Sequence, residues 1–357
     1  MLLKDEGDIK KNTVHNFDTF SAFVQKYIRQ ASDPTTKRKN VLYVHSPFCL
    51  RKCGYCICPS VVNANAEDRN DYLNNVLLKQ ISGYADIFKN VHFDEVYFGG
   101  GTPTLWDVKQ LERIFNAIPG FESIPIKCME ASPQTLQREH LDLIRKYHFQ
   151  FLSVGIQSLD RMICEKQNRM HISRQEFLNM SRTLMETGIY FNYDLICFMN
   201  MGDVRDLLQF EKELLFIMQK GKPSFIDIQQ LHQSQFTYER TQELIRMIRD
   251  VLKECPEYSC VNALLRDEDC KLDTLYQANY RLARDNKSFF HHLWSKHSSL
   301  PARGCNTLSI GWYRNLPIVS NAGDFVYLHS DNTLQIEKNE DFFYTDFWNI
   351  REELGLI

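Results

Sequence analysis

The chain has 357 residues, of which 43% are hydrophobic and 24% charged, and its 42 basic and 45 acidic side chains leave a net charge of −3. This composition is typical of a folded globular protein, and no stretch approaches the roughly 18 consecutive apolar residues that a membrane span needs. Because no excess of positive charge is present to bind a phosphate backbone or an anionic bilayer, we expect neither nucleic acid nor a membrane as a main partner.

Short apolar strands alternate with longer amphipathic helices along most of the chain. An amphipathic helix is predicted first, over residues 17–29. Six strands rich in β-branched and aromatic residues are predicted over 41–46, 93–98, 126–131, 151–156, 192–198 and 225–231. Helices with apolar residues at every third or fourth position are predicted over 71–88, 108–117, 134–147, 174–187, 205–219 and 238–253. Gly188 is expected to end the helix at 174–187.

Helical crossovers between successive strands predict parallel pairing with a uniform right-handed turn. The fold class is therefore α/β, with a partial TIM-like (β/α)6 barrel. A full barrel of eight units takes roughly 250 residues, so a length of about 210 residues suits six units. Past residue 260 the pattern is irregular, and a helix is predicted near 273–284. We expect an N-terminal helical extension (1–36), the barrel (37–260) and a short irregular α+β C-terminal cap (261–357) that forms part of the substrate pocket.

The eleven cysteines are the most informative residues. Acidic side chains occur among the first twelve residues, whereas signal peptides have an apolar core there and transit peptides contain few acidic residues. We therefore expect a cytoplasmic protein. Thiols stay reduced in that compartment, which favours metal binding or catalysis over disulfides. Cys49, Cys53, Cys56 and Cys58 lie within ten residues, directly after the first predicted strand. Loops at that end of a barrel strand are where barrel enzymes place their chemistry.

The C-x3-C-x2-C spacing of Cys49, Cys53 and Cys56 lets one loop place three thiolates around one centre. A structural zinc site closes four ligands, so zinc requires Cys58 or His45 as the fourth. Three close thiolates fit better on a 4Fe-4S cluster with one open iron, which can chelate a substrate or cofactor.

Two further ligand sets stay open. His45, His291 and His292 are candidates to bind heme or iron, although an unpartnered histidine is more often structural. An auxiliary cluster is the second alternative, but its candidate ligands match no clustered spacing: Cys255, Cys260, Cys270 and Cys305.

Residues 43–58, with the sequence YVHSPFCLRKCGYCIC, resemble the cluster loop of radical S-adenosylmethionine (SAM) enzymes. Motifs at later strand ends narrow this resemblance to the branch that contains oxygen-independent coproporphyrinogen III oxidase (HemN), the heme chaperone HemW and related radical SAM methyltransferases. In order they are YFGGGTPT at 97–104, EASP at 130–133, SVGIQS at 153–158, NRMH on a predicted helix at 168–171, and DLI at 194–196. The resemblance covers residues 41–232 well and the remainder weakly.

The resemblance implies a cluster bound by Cys49, Cys53 and Cys56, with one SAM, or two, bound beside it. SAM would bind the open iron and be cleaved reductively to a 5'-deoxyadenosyl radical, while the protein supplies orientation and a dry cavity. No catalytic residue is implied. The implied SAM contacts are Tyr43, Tyr55, Gly99, Gly100, Gly101, Thr102, Glu130, Gln157, Arg169 and Asp194.

Three functions follow from the resemblance. The first is a radical SAM enzyme whose adenosyl radical abstracts hydrogen from an unidentified small organic or peptide substrate, with an electron donor such as flavodoxin or ferredoxin. The alternatives are a HemN-like methyltransferase that uses a second SAM as carbon donor and a HemW-like heme-binding chaperone. Residues 197–201 read CFMNM where the branch usually has Gly-Leu-Pro, and the cap is diverged. Because these segments shape the substrate pocket, the resemblance does not by itself assign a porphyrinogen substrate to this protein. An ion pair between Arg169 and Asp194 that braces the fold is the structural alternative to a second SAM site.

Overall fold

The computed structural model describes residues 12–14, 24–25, 27–35, 39–56, 60–197, 204–230, 238–260, 280–284, 305–311, 318–319, 324–328 and 334–338. Its strands are β1 (Asn12–Val14), β2 (Lys39–Ser46), β3 (Phe48–Cys49), β4 (Val61–Val62), β5 (Glu95–Gly100), β6 (Ile126–Ala131), β7 (Phe151–Gln157), β8 (Tyr190–Cys197), β9 (Phe225–Gln230), β10 (Tyr258–Cys260), β11 (Tyr280–Arg284), β12 (Cys305–Ile310), β13 (Ile318–Val319), β14 (Asp324–Leu328) and β15 (Leu334–Lys338).

The helices are α1 (Ala66–Tyr72), α2 (Leu78–Gly83), α3 (Ala85–Asn90), α4 (Val108–Ala117), α5 (Arg138–Lys146), α6 (Arg161–Lys166), α7 (Arg174–Thr187), α8 (Val204–Phe216) and α9 (Tyr238–Glu254). A π-helical turn, Leu73–Leu77, joins α1 to α2 without a break, and a second, Ile217–Gly221, continues α8. Residues 24–25 and 27–31 are also helical, and Val24 and Tyr27 are buried in the core. The start of the helix predicted over 17–29 lies outside the described residues.

A nine-stranded, mostly parallel sheet forms the centre of the fold. Its order is β10-β11-β9-β8-β7-β6-β5-β2-β12, and the seven strands from β9 to β12 pair in parallel. The six strands predicted from the sequence are β2, β5, β6, β7, β8 and β9, each within two residues of its predicted bounds. The predicted α/β class is therefore confirmed.

Two strands from the segment expected to form the cap complete the sheet. β12 pairs in parallel with β2, and β11 pairs antiparallel with β9. The helix predicted over 273–284 is therefore wrong at Tyr280–Arg284, and residues 273–279 lie outside the described part. The open edge of β9 needs a backbone partner, and a bidentate ion pair of Arg281 with Asp227, at 2.6 and 3.0 Å, stabilises the strand. The division of the chain at residues 36 and 260 stays a prediction.

A second, antiparallel sheet has the order β1-β15-β14-β13. β1 lies in the segment predicted as a helical extension, and it pairs with β15 near the other end of the chain. Residues 12–14 and 334–336 are therefore paired in one sheet although more than 300 positions separate them.

Helix boundaries differ from the predicted ones where polar side chains cap the backbone. The first barrel helix begins at Ala66 because Asn65 and Asp68 form a reciprocal capping box. Gly188 ends α7 in the left-handed conformation, with φ of 71°, as expected. The short helix α6 was not predicted, and residues 168–171 lie in the loop after it, so the predicted helix at this motif is wrong.

Side chains alternate between the two faces of the sheet, and this alternation separates the packed core from the site. The outer face packs on the helices in the main core, whose aromatic centre consists of Phe98, Phe115, Phe121, Tyr147 and Phe149. The inner face carries a separate apolar layer of Tyr43, Tyr97, Cys128, Phe151, Phe225 and Ala283. Polar residues follow this layer along the same face, toward the carboxyl ends of the strands.

Glu95, the first residue of β5, is 1% exposed, and this burial raises its pKa to about 8 despite the nearby positive charge of Lys39. Between its ordinary pKa of 4.5 and about 8, the folded chain holds a proton that the unfolded chain has lost. The stabilising contribution is complete below that range and is lost as the pH rises through it. We expect Glu95→Gln to remove a pH dependence that approaches ~1.4 kcal/mol per pH unit, measured by urea unfolding between about pH 5 and pH 8. Equal slopes in the two proteins would contradict this assignment.

Candidate functional site

The loop that follows β2 carries the three closely spaced thiols. Cys49 ends β3, and the backbone N–H of Cys56 donates to the carbonyl of Cys53 in a turn, at 3.1 Å. All three cysteines are half-buried, none forms a disulfide, and all three line one cleft at the carboxyl ends of the strands. Cys58 lies outside the described residues. We name residues 49–56 the cysteine loop.

The thiols are crowded enough to influence one another. Burial raises the pKa of the Cys49 thiol, and the neighbouring Cys56 and Cys53 raise it further, while a hydrogen bond from the Thr102 hydroxyl, at 3.8 Å, opposes this shift. In the described part of the chain, no three His, Cys, Asp or Glu side chains have the spacing that one metal ion requires. In a 4Fe-4S cluster each thiolate binds a different iron, so the cluster does not need that spacing.

Glycines at the end of β5 allow it to approach the cysteine loop. Gly100 has a φ of +107°, and a Cβ there would lie 2.3 Å from the His45 ring. A Cβ on Gly101 would lie 2.5 Å from the Phe48 carbonyl oxygen and 3.0 Å from the Cys49 sulfur. The sequence predicted that these glycines admit SAM, and the structure adds that Gly100 leaves space for the His45 ring and Gly101 for the first residue of the cysteine loop.

Gly100→Ala is expected to disturb the end of β2, which leads into the cysteine loop, as well as the backbone, because a Cβ there would collide with the His45 ring. Gly188→Ala is the matched control, because Gly188 is also left-handed but a Cβ there would meet nothing within 4 Å. Both variants should lose roughly 1–2 kcal/mol from backbone strain. Gly100→Ala alone should also lower the iron content of reconstituted protein, measured beside the melting temperature. Equal iron in both variants would show that Gly100 serves only the backbone.

Acidic and amide side chains line the cleft opposite the cysteine loop. The Tyr97 hydroxyl donates to Glu130 at 2.8 Å and orients that carboxylate. Asp194, 8% exposed, accepts hydrogen bonds from Ser153 and Asn192, each at 2.8 Å. These partners were missed by sequence reasoning, although Ser153 and Asn192 alternate with apolar residues at the strand period.

Gln157 reaches the cleft through an irregularity in β7. Its φ is +68°, and the register between β7 and β8 shifts between Gly155 and Gln157. Such a bulge re-aims a side chain at a strand end. The Gly155 position is close to both Gln157 and Arg169, since a Cβ there would lie 3.0 Å and 3.2 Å from their side-chain nitrogens.

Arg169 joins this wall of the cleft to the cysteine loop. Its Nη1 donates to the Tyr55 hydroxyl at 3.0 Å and lies 3.7 Å from the Cys53 sulfur, and its Nη2 donates to the Gly155 carbonyl. Its Nε is buried with no partner among the described residues. Arg169 and Asp194 thus use separate partners, which does not support the alternative of an ion pair that braces the fold.

The structure brings most of the predicted site into one cleft. Its lining includes Cys49, Cys53, Tyr55, Cys56, Gly100, Gly101, Thr102, Glu130, Gln157, Arg169 and Asp194. Tyr43 is 4% exposed in the inner apolar layer, where it stacks on Tyr97 and hydrogen-bonds the ring of His45 at 3.2 Å. Its role as a SAM contact, like that of Gly99, stays a prediction.

The alternative ligand sets are not assembled in the described part of the chain. His45 is 2% exposed, and its ring nitrogen is engaged by Tyr43. Cys255 is 1% exposed in the main core, and the half-buried Cys260 packs against that core. The remaining candidates lie outside the described residues or have no described side chain: His291, His292, Cys270 and Cys305. Among the helices that the structure describes, none is long and apolar enough to cross a membrane.

The sheet is mostly parallel, and three loop thiols and a polar wall lie at its carboxyl edge. This arrangement is the one expected for a radical SAM protein. The model of the Radical SAM superfamily matches residues 43–210. The fold is similar to that of coproporphyrinogen III oxidase (HemN) from Escherichia coli, described as a radical SAM enzyme, with a TM-score of 0.66 and 17% identity over 90% of this chain and 75% of that one.

Curated relatives agree with this class. The chain is 26% identical over 170 residues to the heme chaperone HemW of Buchnera aphidicola subsp. Schizaphis graminum, covering 47% of this chain and 45% of the relative. It is 29% identical over 181 residues to oxygen-independent coproporphyrinogen III oxidase of Salmonella typhimurium, covering 49% and 38%. The match spans less than half the length of either relative. The match of residues 43–210 to the Radical SAM superfamily and the similarity to these relatives support the predicted HemN- and HemW-like branch.

Proposed function

We propose that this protein is a radical SAM enzyme that binds a 4Fe-4S cluster through Cys49, Cys53 and Cys56 and acts on a small organic or peptide substrate. One observation carries the proposal: three thiols and a wall of Glu130, Gln157, Arg169 and Asp194 line the same cleft. When bound, the cluster and SAM supply reductive cleavage of SAM to methionine and a 5'-deoxyadenosyl radical, which abstracts hydrogen from the substrate.

The residues present fit these groups. Soft thiolates are the ligands of iron–sulfur clusters, and metal binding favours the deprotonated form of crowded thiols. The buried Nε of Arg169 is a donor without a partner among the described residues, and a SAM carboxylate is a suitable acceptor. Gly101 lets the chain after β5 lie close to the cysteine loop, since a Cβ there would lie 3.0 Å from the Cys49 sulfur.

The charges of the cleft suit SAM, which carries two positive groups and one carboxylate. Glu130, held by Tyr97, is placed to bind a cationic group of SAM. Asp194, held by Ser153 and Asn192, is placed to accept hydrogen bonds from ribose hydroxyls or an amino group. Because these partners fix the carboxylates before SAM binds, little orientation entropy is lost on binding.

Product analysis tests the proposal. Anaerobically reconstituted protein with dithionite and SAM should release 5'-deoxyadenosine, and the Cys49→Ala/Cys53→Ala/Cys56→Ala variant should release none. S-adenosylhomocysteine as the main product would favour the methyltransferase alternative instead. Tight stoichiometric binding in a heme titration, without 5'-deoxyadenosine, would favour the HemW-like chaperone.

Equilibrium dialysis counts the SAM molecules. One SAM per chain is expected for the proposed hydrogen-abstracting enzyme, and two for a methyltransferase that uses a second SAM as carbon donor.

The reductant is proposed to be a flavodoxin or ferredoxin, and a cytoplasmic location also stays a prediction.

A further inference from the structure

Residues 167–169, which follow α6, lie directly against the cysteine loop although more than 110 positions separate the two segments in the sequence. We name these three residues the loop anchor. Any role of the loop anchor in holding the loop that binds the cluster rests on the proposed function.

The loop anchor is held in place by the end of α6. The backbone N–H of Gln167 donates to the Ile163 and Cys164 carbonyls, each at 3.1 Å, and the N–H of Arg169 donates to the Cys164 carbonyl at 2.8 Å. Asn168, between them, has a φ of +49°. A left-handed residue that ends a helix is usually glycine, and asparagine is the common substitute. Hydrogen bonds to the end of α6 therefore fix the backbone of the loop anchor.

Three consecutive residues of the loop anchor bind the cysteine loop. The Gln167 carbonyl accepts from the Gly54 N–H at 2.8 Å, and the Asn168 amide donates to the Lys52 carbonyl at 3.0 Å. Arg169 completes the contact through Tyr55 and the Cys53 sulfur.

The contact also explains why residue 54 is a glycine. A Cβ on Gly54 would lie 2.9 Å from the side-chain oxygen of Gln167. A larger residue at this position would require the Gln167 side chain to move.

We propose that the loop anchor positions the cysteine loop for cluster binding, with Asn168 and Arg169 as positioning residues. Asn168 holds the backbone that precedes Cys53, and Arg169 directs an N–H toward the Cys53 sulfur. Hydrogen bonds and positive charge at a ligating sulfur raise the reduction potential of an iron–sulfur cluster. The loop anchor thus acts on both the conformation of the loop and the electronic properties of the cluster.

Limited trypsin digestion of the full chain tests the conformational part without any cluster. Arg51 and Lys52 are exposed trypsin sites inside the cysteine loop. Asn168→Gly keeps the left-handed backbone and removes the amide. His148→Gly is the matched control, because His148 is exposed with a φ of 57° outside the site. Loss of one hydrogen bond should raise cleavage after Arg51 or Lys52 by roughly 2- to 10-fold in Asn168→Gly and leave His148→Gly unchanged. Cleavage of Asn168→Gly at the wild-type rate would overturn the proposal.

The cluster tests the electronic part. In protein reconstituted with iron and sulfide, Arg169→Met should lower the midpoint potential of the cluster, and Arg169→Lys, which keeps the positive charge, should restore part of the loss. A residue with a structural role alone would leave the potential unchanged, so equal potentials in wild type and Arg169→Met would overturn this part. A wild-type chain that takes up no iron would refute the proposed function, while the trypsin result would still decide the role of Asn168.

Discussion

Replacement of Cys49, Cys53 and Cys56 together by alanine is expected to abolish iron binding. Anaerobically reconstituted wild-type protein should hold about four irons per chain and show the broad visible absorption of a 4Fe-4S cluster. The triple variant should retain less than about a tenth of this iron, because the three thiols that line the cleft supply the soft ligands. Iron and sulfide analysis with the visible spectrum measures the result.

Two controls separate this loss from a general effect on folding. Cys260→Ser changes a cysteine on β10, which six strands of the sheet separate from β2, and should keep the wild-type iron content. The melting temperature of the iron-free triple variant should match that of iron-free wild type, since the three thiols are half-buried and not part of the core. Stoichiometric zinc in the wild-type protein, without iron uptake, would contradict the cluster assignment.

Glu130→Ala is expected to weaken SAM binding by roughly 10- to 100-fold, because a charge-assisted hydrogen bond contributes about 1.5–3 kcal/mol. Glu130 lies on the wall of the cleft that faces the cysteine loop, and it belongs neither to that loop nor to the loop anchor. The iron content should therefore stay at the wild-type value. Equilibrium dialysis with SAM, beside iron analysis of the same sample, measures both quantities.

Two further variants define what Glu130 contributes. Glu130→Gln keeps the shape and removes the charge, so it should approach the alanine variant if the charge binds SAM. Tyr97→Phe removes the hydrogen bond of 2.8 Å that orients the carboxylate, and it should weaken binding by only a few-fold. If SAM changes neither the dialysis signal nor the electron paramagnetic resonance spectrum of the reduced cluster, Glu130 does not bind SAM as proposed.

Local patterns predicted the parallel strands of the barrel because each strand is a short run rich in β-branched and aromatic residues between amphipathic helices. The bounds of β6 over Ile126–Ala131 and of α4 over Val108–Ala117 agree with the predicted ones. The predicted helix over 273–284 failed at β11, since the apolar spacing of a short segment does not show that a sheet edge will bind it. Pairing of β11 with β9 depends on residues more than 50 positions apart.

The sequence by itself determined the class of the protein, because the three cysteines of the cluster motif lie within eight residues and the later motifs follow successive strands. The tertiary structure decided how these motifs act on one another. Three contacts join segments that different strands carry to one edge of the sheet: Asn168 with Lys52, Gly100 with His45, and Ser153 with Asp194. Spacing along the chain encodes a local loop, whereas contacts between loops arise only when parallel strands bring their carboxyl ends together.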